Sequence, residues 1–395
     1  MSNDLVIRLK EWLQRSQPNS TTNDISEIGA ACGTAIGQVR KENQDRLLIA
    51  RISNVNNLAT VSVFAMCDGM GGMKNGSECA ENTLAVFFDS FINSDQKDIK
   101  LRISNAITEA NQRIFTQYRR QGGSTLALLC QTRNSLIAAT VGDTRIFMLD
   151  KNSGFKQVST DDTIAGVLNR RNGYDFNKSN MGSFVNQLAQ FIGIGDELMP
   201  RIFDLPLQSN NRYIIASDGA YSIGNNFEKL ITSAQDLITA VRRIILVSVW
   251  IGGKDNASII YMQPYFKEYR NISKESRIEF WDPIGQLELG YWNYSNSYNL
   301  NAHVFNEKNE IGIKDNIQTQ KKSKGKKSSP KNSKSPKSKI SRNPLEIAFE
   351  KPPEQDRLFS DNNNQITNSN QNSESSLPEN KDNADGPEGR NIQNP

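Results

Sequence analysis

Three apolar runs in this chain each stop on an aspartate. Residues 61–67 end at Asp68, residues 136–141 reach Asp143 through Gly142, and residues 213–216 reach Asp218 through Ser217. An apolar run of this length, bounded by glycine, reads as a strand buried on both faces. Each strand would therefore deliver one carboxylate to its end. Asp255 stands just before a fourth such run, 257–262, and Asp45 just before a fifth, 47–50. A single aspartate ahead of a glycine is ordinary turn chemistry. Five in one chain, all at strand ends, are expected to meet. Carboxylates crowded together need cations to hold them, and hard oxygen ligands select magnesium or manganese.

Histidine chemistry is excluded from this region. The only histidine is His303, far from every one of these aspartates in sequence. A Ser-His-Asp triad, a Cys-His pair and a histidine-bound zinc site all need one nearby. The four cysteines, Cys32, Cys67, Cys79 and Cys130, form no Cys-x-x-Cys pair, so reduced thiols are expected and no disulfide framework. None of them opens a Cys-x5-Arg phosphate loop, which disfavours a cysteine phosphatase.

Net charge is +4, but its placement matters more. Acidic and basic residues nearly balance between 31 and 264, so no specific nucleic-acid surface is expected there. The excess lies in a lysine-rich run from Lys321 to Lys339 that contains no acid. That run suits a solvated linker, or an acidic partner or membrane surface. No apolar stretch of about 18 residues occurs, so no membrane span is expected, and a cytoplasmic location follows by default.

Helical spacing appears at Leu5, Leu9, Trp12 and Leu13, over residues 76–92 and 99–118, and again over 236–250. Strands are expected at 35–37, 46–52, 61–67, 202–207, 213–217 and 257–262, the last closing a sheet. Residues 124–149 read as an antiparallel meander. Strands before and after paired helices, without strict alternation, fit two packed antiparallel sheets flanked by helices, an α+β class. The expected organisation is a polar lead-in (1–30), a main domain (31–264), an aromatic extension (265–308) open between short strands and linker, and a disordered tail (309–395). Within that tail, residues 345–349 form a short apolar docking candidate.

Taken in order, six motifs carry a family resemblance. They are Arg40 to Asp45 as Arg-x-x-Asn-x-Asp, Asp68 to Gly72 as Asp-Gly-x-Gly-Gly, Gly123-Ser124-Thr125, Val141 to Arg145 as Val-Gly-Asp-x-Arg, Ser217-Asp218-Gly219, and Asp255-Asn256. This set resembles the PPM/PP2C metal-dependent serine/threonine phosphatases of bacterial type. The resemblance implies an α-β-β-α sandwich and two Mn2+ or Mg2+ ions, with a third as an option. It implies that Asp68 bridges the metals, that the Gly69 carbonyl ligates one, and that Asp218 and Asp255 ligate the other. Asp45 would stand at the same centre, and Asp143 matches the residue that holds a third, weaker metal. Arg40 matches the phosphate-binding arginine. The implied reaction is hydrolysis of phosphoserine or phosphothreonine on a protein substrate by a metal-activated water, carried out by a monomer.

Three positions depart from the family pattern. Met70 replaces a histidine of many eukaryotic members, Gln44 replaces a glutamate, and Thr163 stands where histidine is frequent. Residues 164–196 match the family's variable flap, where Tyr174, Phe184 and Phe191 suit packing or contact with a phosphopeptide. A second reading stays open on the sequence: a catalytically weak scaffold with this fold that binds a phosphoprotein or signalling partner.

Overall fold

A computed structural model describes residues 4–56, 58–70, 75–151, 153–166, 187–265, 276–290 and 303–305. All of them belong to the first of two units, 1–315 and 316–395. The lysine-rich run, residues 345–349, Tyr174 and Phe184 lie outside the described residues.

The chain opens with helix α1 (Asp4–Leu13), which realises the spacing of Leu5, Leu9, Trp12 and Leu13 and buries all four. Strands β1 (Ser20–Ile25), β2 (Ala30–Ala35), β3 (Asp45–Ser53) and β4 (Val61–Asp68) follow. Two long helices, α2 (Gly76–Asn93) and α3 (Ile99–Tyr118), precede β5 (Leu126–Gln131), β6 (Leu136–Val141), β7 (Arg145–Asp150) and β8 (Gly154–Gln157). After β9 (Arg201–Leu205) and β10 (Arg212–Ala216) come α4 (Asp218–Tyr221), α5 (Asn225–Thr232) and α6 (Leu237–Trp250). The last strands are β11 (Ala257–Met262), β12 (Arg277–Trp281), β13 (Gln286–Gly290) and β14 (His303–Phe305).

These strands form two antiparallel sheets. One runs β1-β2-β11-β10-β7-β8 and the other β14-β13-β12-β3-β4-β5-β6-β9. Leu47, Ile49, Phe64, Met66 and Leu129 of the second sheet meet Met148, Tyr213, Ile215, Ile260 and Met262 of the first. The opposite face of the second sheet, with Val63, Ala65, Cys67 and Leu128, packs under α1, α2 and α3. The outer face of the first, with Ile214, Ile259 and Tyr261, packs under α5 and α6. The result is an α-β-β-α sandwich. Strands such as β4 are buried on both faces, which is why their sequences read as unbroken apolar runs rather than alternating ones.

Several local expectations are corrected. The strand expected at 35–37 lies at Ala30–Ala35, a stretch of small residues. It runs close beneath α6: a Cβ on Gly33 would stand 2.9 Å from Val241 Cγ1 and 3.1 Å from Ile245 Cγ1. The run 257–262 does not close a sheet; β11 lies in its interior between β2 and β10. Residues 124–149 are not one meander. β5 and β6 pair within the larger sheet, whereas β7 crosses to the other and pairs with β10. Gly142, at φ +100°, makes that crossing, and a Cβ there would stand 2.8 Å from Thr125 Cγ2. Two segments left open between strand and linker are strands: β12 pairs with β3 and β13 with β12, adding to the larger sheet.

Candidate active site

Five strand ends and two loop stretches, 40–44 and 187–188, build a single pocket. Its walls include Arg40, Gln44, Asp68, Gly69, Met70, Thr125, Asp143, Gln187, Leu188, Asp218, Asp255 and Asn256. Five of the aspartates and arginines singled out above are therefore brought together with Gly69. Asp45 does not line the pocket. It is 1% exposed, at the start of β3, and pairs in register with Asp68 at the end of β4.

The backbone is held closely at each strand end. Asp68 N–H donates to Thr125 Oγ1 at 2.9 Å, and Thr125 Oγ1 lies 2.6 Å from Thr144 Oγ1. Gly69 allows no side chain, because a Cβ would stand 2.2 Å from the Gly76 carbonyl oxygen. Gly219, after Asp218, is equally tight against the carbonyl of Asn256, at 2.0 Å. Asn256 in turn braces the loop ahead of β3. Its amide nitrogen donates to the carbonyls of Ile36 and Glu42, and its Oδ1 accepts from Gln44 N–H at 2.8 Å.

Arg40 sits on that loop. The loop is pinned to the end of α6: Gln38 and Val39 N–H both donate to the Gly253 carbonyl, at 2.7 and 3.2 Å. Gln38 Nε2 also donates to the Val249 carbonyl at 3.1 Å. The guanidinium is 39% exposed and donates from Nη2 to Asp255 Oδ2 at 2.6 Å.

The carboxylates disfavour one another's ionisation. Burial pushes Asp45 up to about 7; the hydroxyls of Ser258 and Ser217 pull it down, and Asp218 and Asp255 push it further up. Burial raises Asp68 well above the usual carboxylate range, with Asp45 and Asp218 adding to it. Asp143 is pushed up to about 7 by burial and by Asp218, and Asp218 is raised by burial and Asp255. Ser217 Oγ donates to Asp45 Oδ2 at 2.8 Å, but Asp45 Oδ1 is buried without a hydrogen-bond partner.

An orphaned carboxylate oxygen beside crowded acids is what a hard cation satisfies. The donor set, all oxygen and free of histidine, suits magnesium or manganese. Among the described residues no three His, Cys, Asp or Glu side chains stand in ready coordinating geometry. Asp255 is turned to Arg40 and Asp45 to Ser217. Backbone position brings these carboxylates to one place, whereas convergence on one ion is set by side-chain torsions, which turn far more readily. The residues present fit such ions.

The sequence profile of the family Protein phosphatase 2C matches residues 31–167. Protein phosphatase PhpP of Streptococcus pneumoniae is 25% identical over 235 residues, 57% of this chain and 93% of that protein. The serine/threonine phosphatase stp of Listeria welshimeri is 22% identical over 252 residues, covering 61% and 95%. Over these stretches the chain is similar to the PPM/PP2C phosphatases. Among solved structures, the PPM Ser-Thr phosphatase MsPP of Mycobacterium smegmatis superposes with a TM-score of 0.51 at 22% identity, over 60% of this chain and 99% of that one. That likeness bears on the fold.

Sequence reasoning missed part of this site. Thr125 and Asn256 lay inside quoted motifs but were given no role; their neighbours, Asp68 and the Arg40 loop, show what they brace. Ser217 preceded Asp218 in a motif and turns out to hold Asp45. Gln187 and Leu188 fall within the expected flap, 164–196, but were not singled out. Phe191, a packing or contact candidate, is buried against Gly123. Arg145, two residues after Asp143, pairs with Asp161 at 2.7 Å and lies over the Tyr221 ring, which holds the turn. No helix among the described residues is long and apolar enough to cross a membrane.

Proposed function

We propose that this chain hydrolyses phosphoserine and phosphothreonine monoesters on proteins with the help of two divalent cations, manganese or magnesium. The observation that carries the reading is the shared pocket of Asp68, Asp143, Asp218, Asp255 and Arg40. Asp68 with the Gly69 carbonyl, Asp218 and Asp255 would hold the two ions, with Asp45 behind Asp68 and Asp143 at the position for a third. Bound cations at such a centre lower the pKa of water towards neutrality and offset charge on the transferred phosphoryl group.

The chain's own groups supply the rest. Arg40 offers five N–H donors in a planar fork and donates from Nη2 to Asp255, so the guanidinium can grip phosphoryl oxygens. Its exposure lets it reach a ligand entering from solvent. Thr125 and Ser217 fix Asp68 and Asp45 in place, so the acids need little reorganisation as charge builds. Met70 lines the pocket and has no proton to give, so protonation of the leaving group falls to solvent. Four buried, unpaired cysteines suit a reducing cytoplasm. The Lys321–Lys339 run, outside the described residues, suits an acidic partner or surface.

Turnover of p-nitrophenyl phosphate with and without manganese, for the natural chain and Asp218→Asn, tests the reading. Manganese-dependent turnover is expected, falling on the order of a hundredfold or more in the variant, as several kcal/mol of charge stabilisation are lost. No turnover with either metal would favour the scaffold reading instead.

A further inference from the structure

One buried carboxylate lies next to the pocket without lining it. Asp162 is 1% exposed. Its N–H donates to the Gly142 carbonyl at 2.9 Å, and Gly142 N–H donates back to its Oδ2 at 3.4 Å. Its carbonyl accepts from Ala189 and Gln190 N–H, at 2.7 and 3.3 Å. Its Oδ1 accepts from Arg201, the first residue of β9, at 2.9 Å.

Three separate parts of the chain therefore meet on one side chain and its peptide. The first is the sheet-crossing turn that carries Asp143. The second is the stretch 187–190, whose Gln187 and Leu188 form one rim of the pocket. The third is the start of β9. Neighbouring contacts run the same way: Ile164 N–H donates to the Gln187 carbonyl at 2.9 Å, and Thr163 bridges to Leu188. Gly142 itself admits no side chain, since at φ +100° a Cβ would stand 2.8 Å from Thr125 Cγ2.

We propose that Asp162, locked by Arg201, is a positioning residue that fixes the Asp143 turn and the Gln187–Leu188 rim relative to each other across the pocket. A buried carboxylate deprived of its cation is strongly unfavourable, so loss of either partner loosens both attachments together. The functional consequence rests on the phosphatase reading; the structural one does not.

The test uses the full-length chain as Asp162→Asn, Arg201→Gln and the double variant. Hydrogen exchange read by mass spectrometry is expected to speed up in peptides covering both 140–146 and 187–193, with α2 and α3 unchanged. The double variant is expected to add nothing beyond the stronger single one, because the two residues act as a unit. Manganese needed for the half-maximal thermal shift should rise about tenfold, the usual scale for an outer support of a metal site. The KM for a phosphopeptide should rise more than that for p-nitrophenyl phosphate. Faster exchange confined to β9, or effects that simply add, would overturn the proposal. Should Asp162→Asn fail to fold, Arg201→Gln decides alone, since that side chain reaches solvent. If the natural chain turns over no substrate, the phosphatase reading fails while the exchange result still judges the clamp.

Discussion

Asp45 and Asp68 stand directly opposite each other across β3 and β4. Like charges in facing positions of an antiparallel pair repel. Here Asp45 is also buried and Asp68 partly so, and the pairing works against the sheet unless protons or cations intervene. The pair thus ties the local register of the sheet to the ions it holds.

A pH dependence follows for the metal-free protein. Asp45 and Asp143 are both pushed up to about 7 from 3.8. A carboxyl group raised on folding binds more protons in the folded than in the unfolded chain, so stability falls as pH rises. The contribution is complete below 3.8 and is lost on passing through about 7. In EDTA, Tm should therefore drop between about pH 4 and about pH 7, and manganese at the higher pH should restore it. Differential scanning fluorimetry checks this; a flat or rising Tm in EDTA would contradict the crowding.

Arg40→Lys keeps the charge but not the fork. Lysine cannot grip a phosphoryl group bidentately while facing Asp255. The loss of a charge-assisted hydrogen bond, about 1.5–3 kcal/mol, corresponds to a fall in kcat/KM of roughly 10- to 100-fold. Steady-state kinetics reads it, and Tm should change little because the side chain is substantially exposed.

Gly69→Ala forces a methyl group into backbone. A Cβ there would stand 2.2 Å from the Gly76 carbonyl oxygen and 3.0 Å from that of Gln44. Overpacking of this kind costs about 1–3 kcal/mol. Urea unfolding should show it, and turnover should fall further than stability does, because the Asp68 end of β4 moves with the strain.

Leu9→Ala asks whether α1 belongs to the fold. Leu9 is fully buried beneath the larger sheet with α2 and α3. Truncating such a leucine costs about 2–5 kcal/mol. A midpoint unchanged in urea would mean that the helix is an appendage.

What the sequence made legible was the part set by burial. β4, β6, β10 and β11 announced themselves because both faces of each are covered, leaving unbroken apolar runs that end where the pocket begins. Asp68, Asp143, Asp218 and Asp255 were readable for the same reason. The change of sheet after β6 was not, because a glycine turn looks alike whether its strands pair or part. β2 was misplaced because Ala, Cys, Gly and Thr lack the bulk that marks a strand, and their size answers to α6 overhead. β1 was not seen, being mostly polar at an edge. Residues 164–196 were legible as a flap, but that Gln187 and Leu188 are the ones lining the pocket, and that Asp162 pairs with Arg201, depends on contacts between distant residues, which leave no local pattern.

The pinning of Gln38 and Val39 to Gly253 has one more implication. Arg40 has little independence, because its loop moves as a continuation of the last turn of α6. Whatever leans on that helix end, beside the exposed Trp250, also shifts the hand that would take hold of the phosphate.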